Sequence, residues 1–102
     1  MILHCVFCNF QDHTPKAVQV AAIEALREFS LNLDGVLAFD HGPNLDFEQK
    51  SHSYDAGFVI RFKDAESLTA YAIHPTHQEL GAQLSRLCEG GGDGIIVYDL
   101  DV

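Results

Sequence analysis

The chain has 102 residues, of which 47% are hydrophobic, and its 15 acidic and 6 basic side chains give a formal charge of −9. This length predicts a single domain over residues 1–102. The acidic charge, with no cluster of Lys or Arg, excludes the basic surface that binds nucleic acid or anionic membranes.

No apolar run reaches the roughly 20 residues that a membrane-spanning helix needs. The N-terminal run MILHCVFCNF also lacks the positive segment and the small-residue cleavage site of a signal peptide. These two observations predict a cytoplasmic protein.

The first predicted element is a strand over residues 2–10, with apolar side chains on both faces. Cys5 and Cys8 in this strand form a C-x-x-C spacing, which is typical of redox and zinc sites. Because side chains alternate along a strand, these two thiols point to opposite faces. The pattern therefore favours buried apolar thiols over a redox or metal pair.

A helix is predicted next, with Thr14 as its N-cap and Pro15 in its first position, and it should end near Ser30. Apolar residues recur in it at helical spacing, at Val18, Ala22, Ala25, Leu26 and Phe29. A second strand covers residues 36–41. The Gly- and Pro-containing segment after it, GPNLDFEQKSHS, predicts a mobile hairpin loop.

Residues 54–63 predict a third strand, which Asp64 follows as the N-cap of a second helix. Pro75 interrupts that helix, because proline disfavours helical geometry at the residue before it. A further helix should run from Pro75 to about Cys88. The run EGGGDG then predicts a turn, and IIVYDLDV the last strand.

This order of elements predicts an α+β protein with the ferredoxin-like βαββαβ arrangement, an antiparallel sheet with helices on one face. The first and last strands, however, carry apolar residues on both faces. A solvent-exposed face would instead alternate polar with apolar residues. We therefore expect a homodimer in which the uncovered sheet faces pack together.

Several motifs resemble those of the stress-responsive dimeric α/β-barrel (Dabb) family, over essentially the whole chain. The matching residues are His4 in the first strand, Gly42 and Asn44 after the second, Tyr54 and Asp55 opening the third, and Tyr71, His74, Pro75 and His77 in a Y-x-x-H-P-x-H run. The resemblance implies a ferredoxin-like protomer and a dimeric α+β barrel. Many members of this family have no assigned activity.

A few related plant proteins are polyketide cyclases that use no cofactor, and the resemblance makes His77, Tyr71 and His4 the candidate catalytic residues. Ala56 stands where those cyclases carry a further His, which weakens the cyclase interpretation. The sequence thus indicates a homodimeric module that binds a small apolar or aromatic ligand, without cofactor or metal. The alternative is a cofactor-independent cyclase or lyase-type enzyme, with His77 as general base and with Tyr71 and His4 assisting.

The same residues also allow purely structural roles. His74 then caps the last helix and Pro75 starts it, while His77 and Tyr71 only pack. A metal site built on His74 and His77 would lack the third ligand that a catalytic zinc typically needs. The carboxylates of Asp99 and Asp101 are interpreted as a solvated strand end, with a hard-cation site as the alternative.

Overall fold

A computed structural model describes residues 1–102 and confirms the predicted order of elements. The elements are β1 (Ile2–Cys8), α1 (Lys16–Leu31), β2 (Val36–Pro43), β3 (Ala56–Phe62), α2 (Ala65–Ile73), α3 (Pro75–Arg86), a short 3-10 helix (Gly91–Gly94) and β4 (Ile95–Asp101). The strands form one antiparallel sheet in the order β2-β3-β1-β4. The protomer is therefore a ferredoxin-like α+β fold.

The two faces of the sheet differ in what covers them. The helices cover one face, where the side chains of Val6, Phe58, Ile60 and Phe62 are buried in the core. The opposite face, called the outer face below, carries the alternate residues of the same strands. Large apolar side chains there remain exposed, such as Phe7, Tyr98 and Leu100. No helix of the protein is long and apolar enough to cross a membrane.

The start of α1 differs from the prediction by one residue. Pro15, not Thr14, occupies the N-cap position, and no side chain caps the helix. The Thr14 hydroxyl instead donates to the Leu87 carbonyl at 3.4 Å, because the chain packs there against the end of α3. The buried stripe of α1 runs through Ile23, Leu26 and Ser30. The predicted stripe is therefore wrong at Val18, which is exposed.

The joint between α2 and α3 forms as the sequence predicts. The Asp64 carboxylate accepts the Ser67 N–H at 2.8 Å and caps α2. The chain is extended at His74, and Pro75 takes the first position of α3. His74 Nδ1 accepts the Thr76 N–H at 3.1 Å, so His74 is the cap of α3.

The cysteines lie in the interior as free thiols. Cys5 and Cys8 lie on opposite faces of β1, as expected, and Cys88 joins Cys8 in the core under the helices. The hydrogen bond between the thiols of Cys8 and Cys88, followed by burial, raises the pKa of Cys8, and the same bond lowers the pKa of Cys88. The two thiols that contact each other are thus 80 residues apart in the sequence and are not the C-x-x-C pair.

Candidate functional site

A cleft of about 450 Å³ lies between α3 and the sheet, beside the edge strand β4. Most of its lining is apolar, with Val6 and Phe58 from the sheet and Leu84 from α3. The three site residues predicted from the sequence, His4, Tyr71 and His77, all line this one cleft. They come from β1, α2 and α3, so the tertiary fold brings them together.

His77 lies in the first turn of α3, where its ring is half-buried. Its Nδ1 atom is 3.0 Å from the Ala72 carbonyl oxygen. A carbonyl can only accept, so Nδ1 carries the proton and Nε2 keeps its lone pair in the neutral ring. Burial lowers the pKa of His77, the hydrogen bond to the Ala72 carbonyl partly opposes this effect, and the nearby imidazoles of His4 and His74 lower the pKa further. His77 is therefore a neutral base at pH 7.

Gly81 leaves open the space next to His77 Nε2. Glycine lies one turn after His77 in α3, and a Cβ atom added there would be 4.0 Å from Nε2. Apart from the backbone of α3 itself and the two neighbouring residues, no other atom would lie within 4 Å of that Cβ. The basic nitrogen of His77 therefore faces free volume in the cleft rather than packed protein.

Tyr71 forms the inner wall of the cleft and is only 2% exposed. Its ring centroid lies 4.1 Å from that of His77 and 5.7 Å from that of His4. Burial raises the pKa of Tyr71 to about 12, with a smaller opposing effect from the adjacent Ser30 hydroxyl. The Ser30 oxygen is itself buried and makes no well-formed hydrogen bond. Tyr71 thus remains a protonated hydrogen-bond donor at neutral pH.

The ring of His4 is held by the carboxylate of Asp99, a contact that the sequence does not predict. The β1–β4 register places Asp99 opposite His4, and Asp99 Oδ1 lies 2.6 Å from His4 Nδ1. The carboxylate accepts a hydrogen bond from the Nδ1 proton, which leaves Nε2 as the ring nitrogen that Asp99 does not engage. Asp99 lies near the end of β4 with its side chain 46% exposed, as the predicted solvated strand end implies, and it also fixes the orientation of the His4 ring. The sequence could have identified the contact between His4 and Asp99 if the first and last strands had been aligned as antiparallel neighbours, because that register places the two residues opposite each other.

The remaining predicted groups lie outside the cleft. His74 stacks edge-on against Phe29 at 4.8 Å and caps α3, so it makes no part of the cleft lining. No group of three His, Cys, Asp or Glu side chains could hold a metal ion. Ala56 lines a separate cleft of about 570 Å³ between α1 and the β2–β3 end of the sheet, together with Lys16 and His41.

The chain matches the family model of the stress-responsive A/B barrel domain over residues 2–102. It is 42% identical to a dimeric ferredoxin-like protein of unknown function from Jannaschia sp. CCS1, over 99% of this chain and 98% of that one, with a TM-score of 0.91. No curated protein matches the chain.

Two further solved structures share the fold at lower identity. The hydroxynitrile lyase of Passiflora edulis is 13% identical, with a TM-score of 0.84 over 99% of this chain and 92% of that one. A dimeric ferredoxin-like protein of unknown function from Thermobifida fusca is 17% identical, with a TM-score of 0.79 over 99% and 90%. The match of the family model along almost the whole chain is decisive: the chain belongs to the stress-responsive A/B barrel domain family.

Proposed function

We propose that the protein is a homodimer that binds a small apolar or aromatic molecule in the cleft of each protomer. The observation that carries this proposal is the convergence of His4, Tyr71 and His77 on one otherwise apolar cleft. A volume of about 450 Å³ lies within the range of ligand sites, which combine apolar walls with a few polar groups.

The polar groups of the cleft define the chemistry of the ligand. Tyr71 is a protonated phenol, and His77 offers the lone pair of Nε2 in its neutral ring. His4 is engaged at Nδ1 by Asp99, so Nε2 is the ring nitrogen that remains for a ligand. No Lys or Arg lines the cleft, so it has no permanent cation to neutralise a carboxylate or a phosphate. The ligand that fits is a neutral molecule with a carbonyl or hydroxyl group on an apolar or aromatic body.

The homodimer part of the proposal places the outer faces of two sheets against each other. This face exposes Phe7, Tyr98 and Leu100, which the helices of the same protomer do not reach. Exposed apolar patches of this kind mark association surfaces. The 42% identical protein from Jannaschia is described as dimeric, which supports the same assembly for this chain.

A second candidate function is a cofactor-independent enzyme of lyase or cyclase type. The specific observation in its favour is the tautomer of His77, whose basic Nε2 lies next to the open space at Gly81, while the ring of Tyr71 packs against the ring of His77. His77 would remove a proton from the substrate, and Tyr71 would donate a hydrogen bond to its carbonyl oxygen. The proton taken up by His77 would then be returned to the leaving group or to the product, and His4, oriented by Asp99, would hydrogen-bond the substrate.

The lyase form of this chemistry fits the cleft better than the cyclase form. In the cleavage of a hydroxynitrile, a base removes the hydroxyl proton while the carbon–carbon bond breaks, and cyanide leaves with the electron pair and takes up a proton. The hydroxynitrile lyase of Passiflora edulis shares this fold. A cyclase that needs a further imidazole at position 56 would find Ala56 there, outside the cleft.

Ligand-observed NMR with acetophenone and benzaldehyde as probes tests the binding proposal. We expect saturation transfer with the wild type and its loss in Ala82→Phe, because Ala82 lines the cleft. Ala70→Phe is the matched control, since Ala70 is equally exposed in the neighbouring helix but does not line the cleft. Equal binding by both variants would refute the proposed location.

Cleavage of mandelonitrile, followed through the absorbance of released benzaldehyde, separates binding from catalysis. Binding of the probes without cleavage by the wild type supports the binding module. Cleavage that is lost in His77→Ala, while the variant still binds acetophenone, supports the lyase. Cleavage that is unchanged in His77→Ala would exclude His77 as the base.

A further inference from the structure

The loop between β2 and β3, residues 44–55, exposes the most solvent-accessible large apolar side chain of the protein. Phe47 is 89% exposed, and Leu45 on the same loop is 69% exposed. Apolar groups that remain this exposed in a folded chain commonly mark interaction surfaces. Neither side chain belongs to the cleft of His4, Tyr71 and His77.

This loop is an ordered structure and not the mobile hairpin that its composition predicts. Asp46 Oδ1 accepts the N–H groups of Lys50 and Ser51 and the Ser51 hydroxyl, at 2.9, 3.0 and 3.0 Å. Asn44 Nδ2 donates to the Ser51 carbonyl at 3.1 Å. Asp46 adopts a φ of 46°, in the left-handed region that non-glycine residues rarely occupy. These bonds fix the backbone on either side of Phe47, whose side chain points into solvent.

The base of the loop is continuous with the outer face of the sheet. Leu45 borders a groove of about 350 Å³ together with Phe7, Gly57 and Val59 of that face. Only glycine fits at position 57, because a Cβ atom there would lie 2.6 Å from the Phe7 ring. On its other side the loop borders a second groove, with Tyr98 of β4 in the lining. The loop and the outer face therefore form one apolar surface.

We propose that Phe47 is the anchor residue of the dimer interface. Its side chain packs against the outer face of a second copy of this chain. This inference rests on the proposed homodimer. A two-fold axis makes such a contact reciprocal: the β2–β3 loop of each protomer would contact the outer face of its partner. A rigid aromatic side chain that enters an apolar groove is the usual form of an interface hot spot.

The dimeric state of the 42% identical protein from Jannaschia favours a second copy as the occupant. The outer face itself carries both charges, Asp40 and Arg61. Arg61 is the one cation on the strands of the outer face, and it forms no ion pair within the protomer. Glu48, adjacent to Phe47, is likewise without an ion-pair partner. The loop and the outer face thus match in apolar character, and a pair between Glu48 and Arg61 of the two protomers would satisfy both charges.

Sedimentation velocity over a dilution series tests the anchor with Phe47→Ser. We expect the dimer dissociation constant to rise at least tenfold, because removal of a hot-spot aromatic weakens association by that factor or more. Ile73→Ser is the matched control, since Ile73 is 68% exposed on α2, away from the loop and the outer face, and should leave the constant unchanged. Ile96→Lys, on the outer face itself, should abolish the dimer.

The outcomes distinguish the anchor from the dimer on which it rests. A dimer that Ile96→Lys dissociates and Phe47→Ser leaves intact would overturn the anchor and keep the homodimer. A wild type that stays monomeric at tens of micromolar would overturn both. Photo-crosslinking from p-benzoylphenylalanine at position 47 should yield dimers joined to outer-face peptides, whereas crosslinks only within the same chain would overturn the anchor.

Discussion

Replacement of Gly81 by alanine should separate stability from function in this protein. Gly81 lies in the middle of α3, and its backbone conformation is one that alanine adopts freely. The added Cβ would make an ordinary contact with His77 Nε2 at 4.0 Å and, apart from the backbone of α3 and the two neighbouring residues, meet nothing else within that distance. Glycine inside a helix costs about 1 kcal/mol relative to alanine, so the variant should be more stable by up to that amount.

The same methyl group would occupy the space that a ligand needs. A group that exchanges a proton with His77 must approach Nε2 to about 3 Å. One additional methyl in a pocket changes affinity or turnover by roughly 10- to 200-fold. We therefore expect at least a tenfold loss of probe binding, together with a gain in melting temperature of roughly 5 °C.

Thermal unfolding and acetophenone binding, measured on the same preparations at fixed protein concentration, provide the test. Gly92→Ala is the control, because a Cβ at Gly92 meets no atom within 4 Å and lies outside the cleft. A Gly81→Ala protein that is stabilised and still binds the probe at wild-type affinity would show that the ligand does not use the space beside His77.

Three further predictions concern pH, tautomer and packing. Burial lowers the pKa of His77 in the folded state, so the unfolded chain takes up a proton first as the pH falls through about 6.5. The free energy of unfolding should therefore decrease as the pH falls through that value. In urea titrations, His77→Gln should reduce this pH dependence. Asp99→Asn should allow His4 to move its proton from Nδ1 to Nε2, which ¹⁵N-edited NMR of the imidazole would detect; an unchanged tautomer would refute the proposed role of Asp99. Gly57→Ala should destabilise the fold by about 2 kcal/mol, because its Cβ would lie 2.6 Å from an aromatic ring and 2.8 Å from a backbone oxygen. Gly42→Ala, at the paired position on β2 with open space around it, should be neutral in the same chemical denaturation.

The features that were predictable from the sequence depend on local chemistry. Alternating apolar residues located the strands, Asp64 marked the start of α2, and Pro75 marked the break before α3. Each of these effects acts within a few residues of the chain. The excess of apolar residues in β1 and β4 similarly indicated an uncovered sheet face before any coordinates were known.

The features that were missed depend on contacts between distant segments. Thr14 has a cap sequence, but its hydroxyl bonds to Leu87, which lies 73 residues further along the chain. The β2–β3 loop has a flexible composition, but Asp46 gathers three donors from residues 50 and 51 and orders it. Composition reports the average behaviour of such a segment, whereas one well-placed carboxylate can determine its structure.

The candidate site also combines features that local sequence predicts with features that depend on distant segments. The motif predicted that His4, Tyr71 and His77 would be present, but the tautomers of the two imidazoles come from groups outside the motif: the Ala72 carbonyl and the Asp99 carboxylate. Both partners accept a hydrogen bond from Nδ1, so both rings turn Nε2 to the other side. A pocket that combines two oriented imidazoles with one protonated phenol has the groups to bind a carbonyl compound and also to move its protons. Under the proposed function, the difference between binding and catalysis would lie in how closely a ligand approaches His77 Nε2, and the Gly81→Ala variant tests whether the space beside that atom is used.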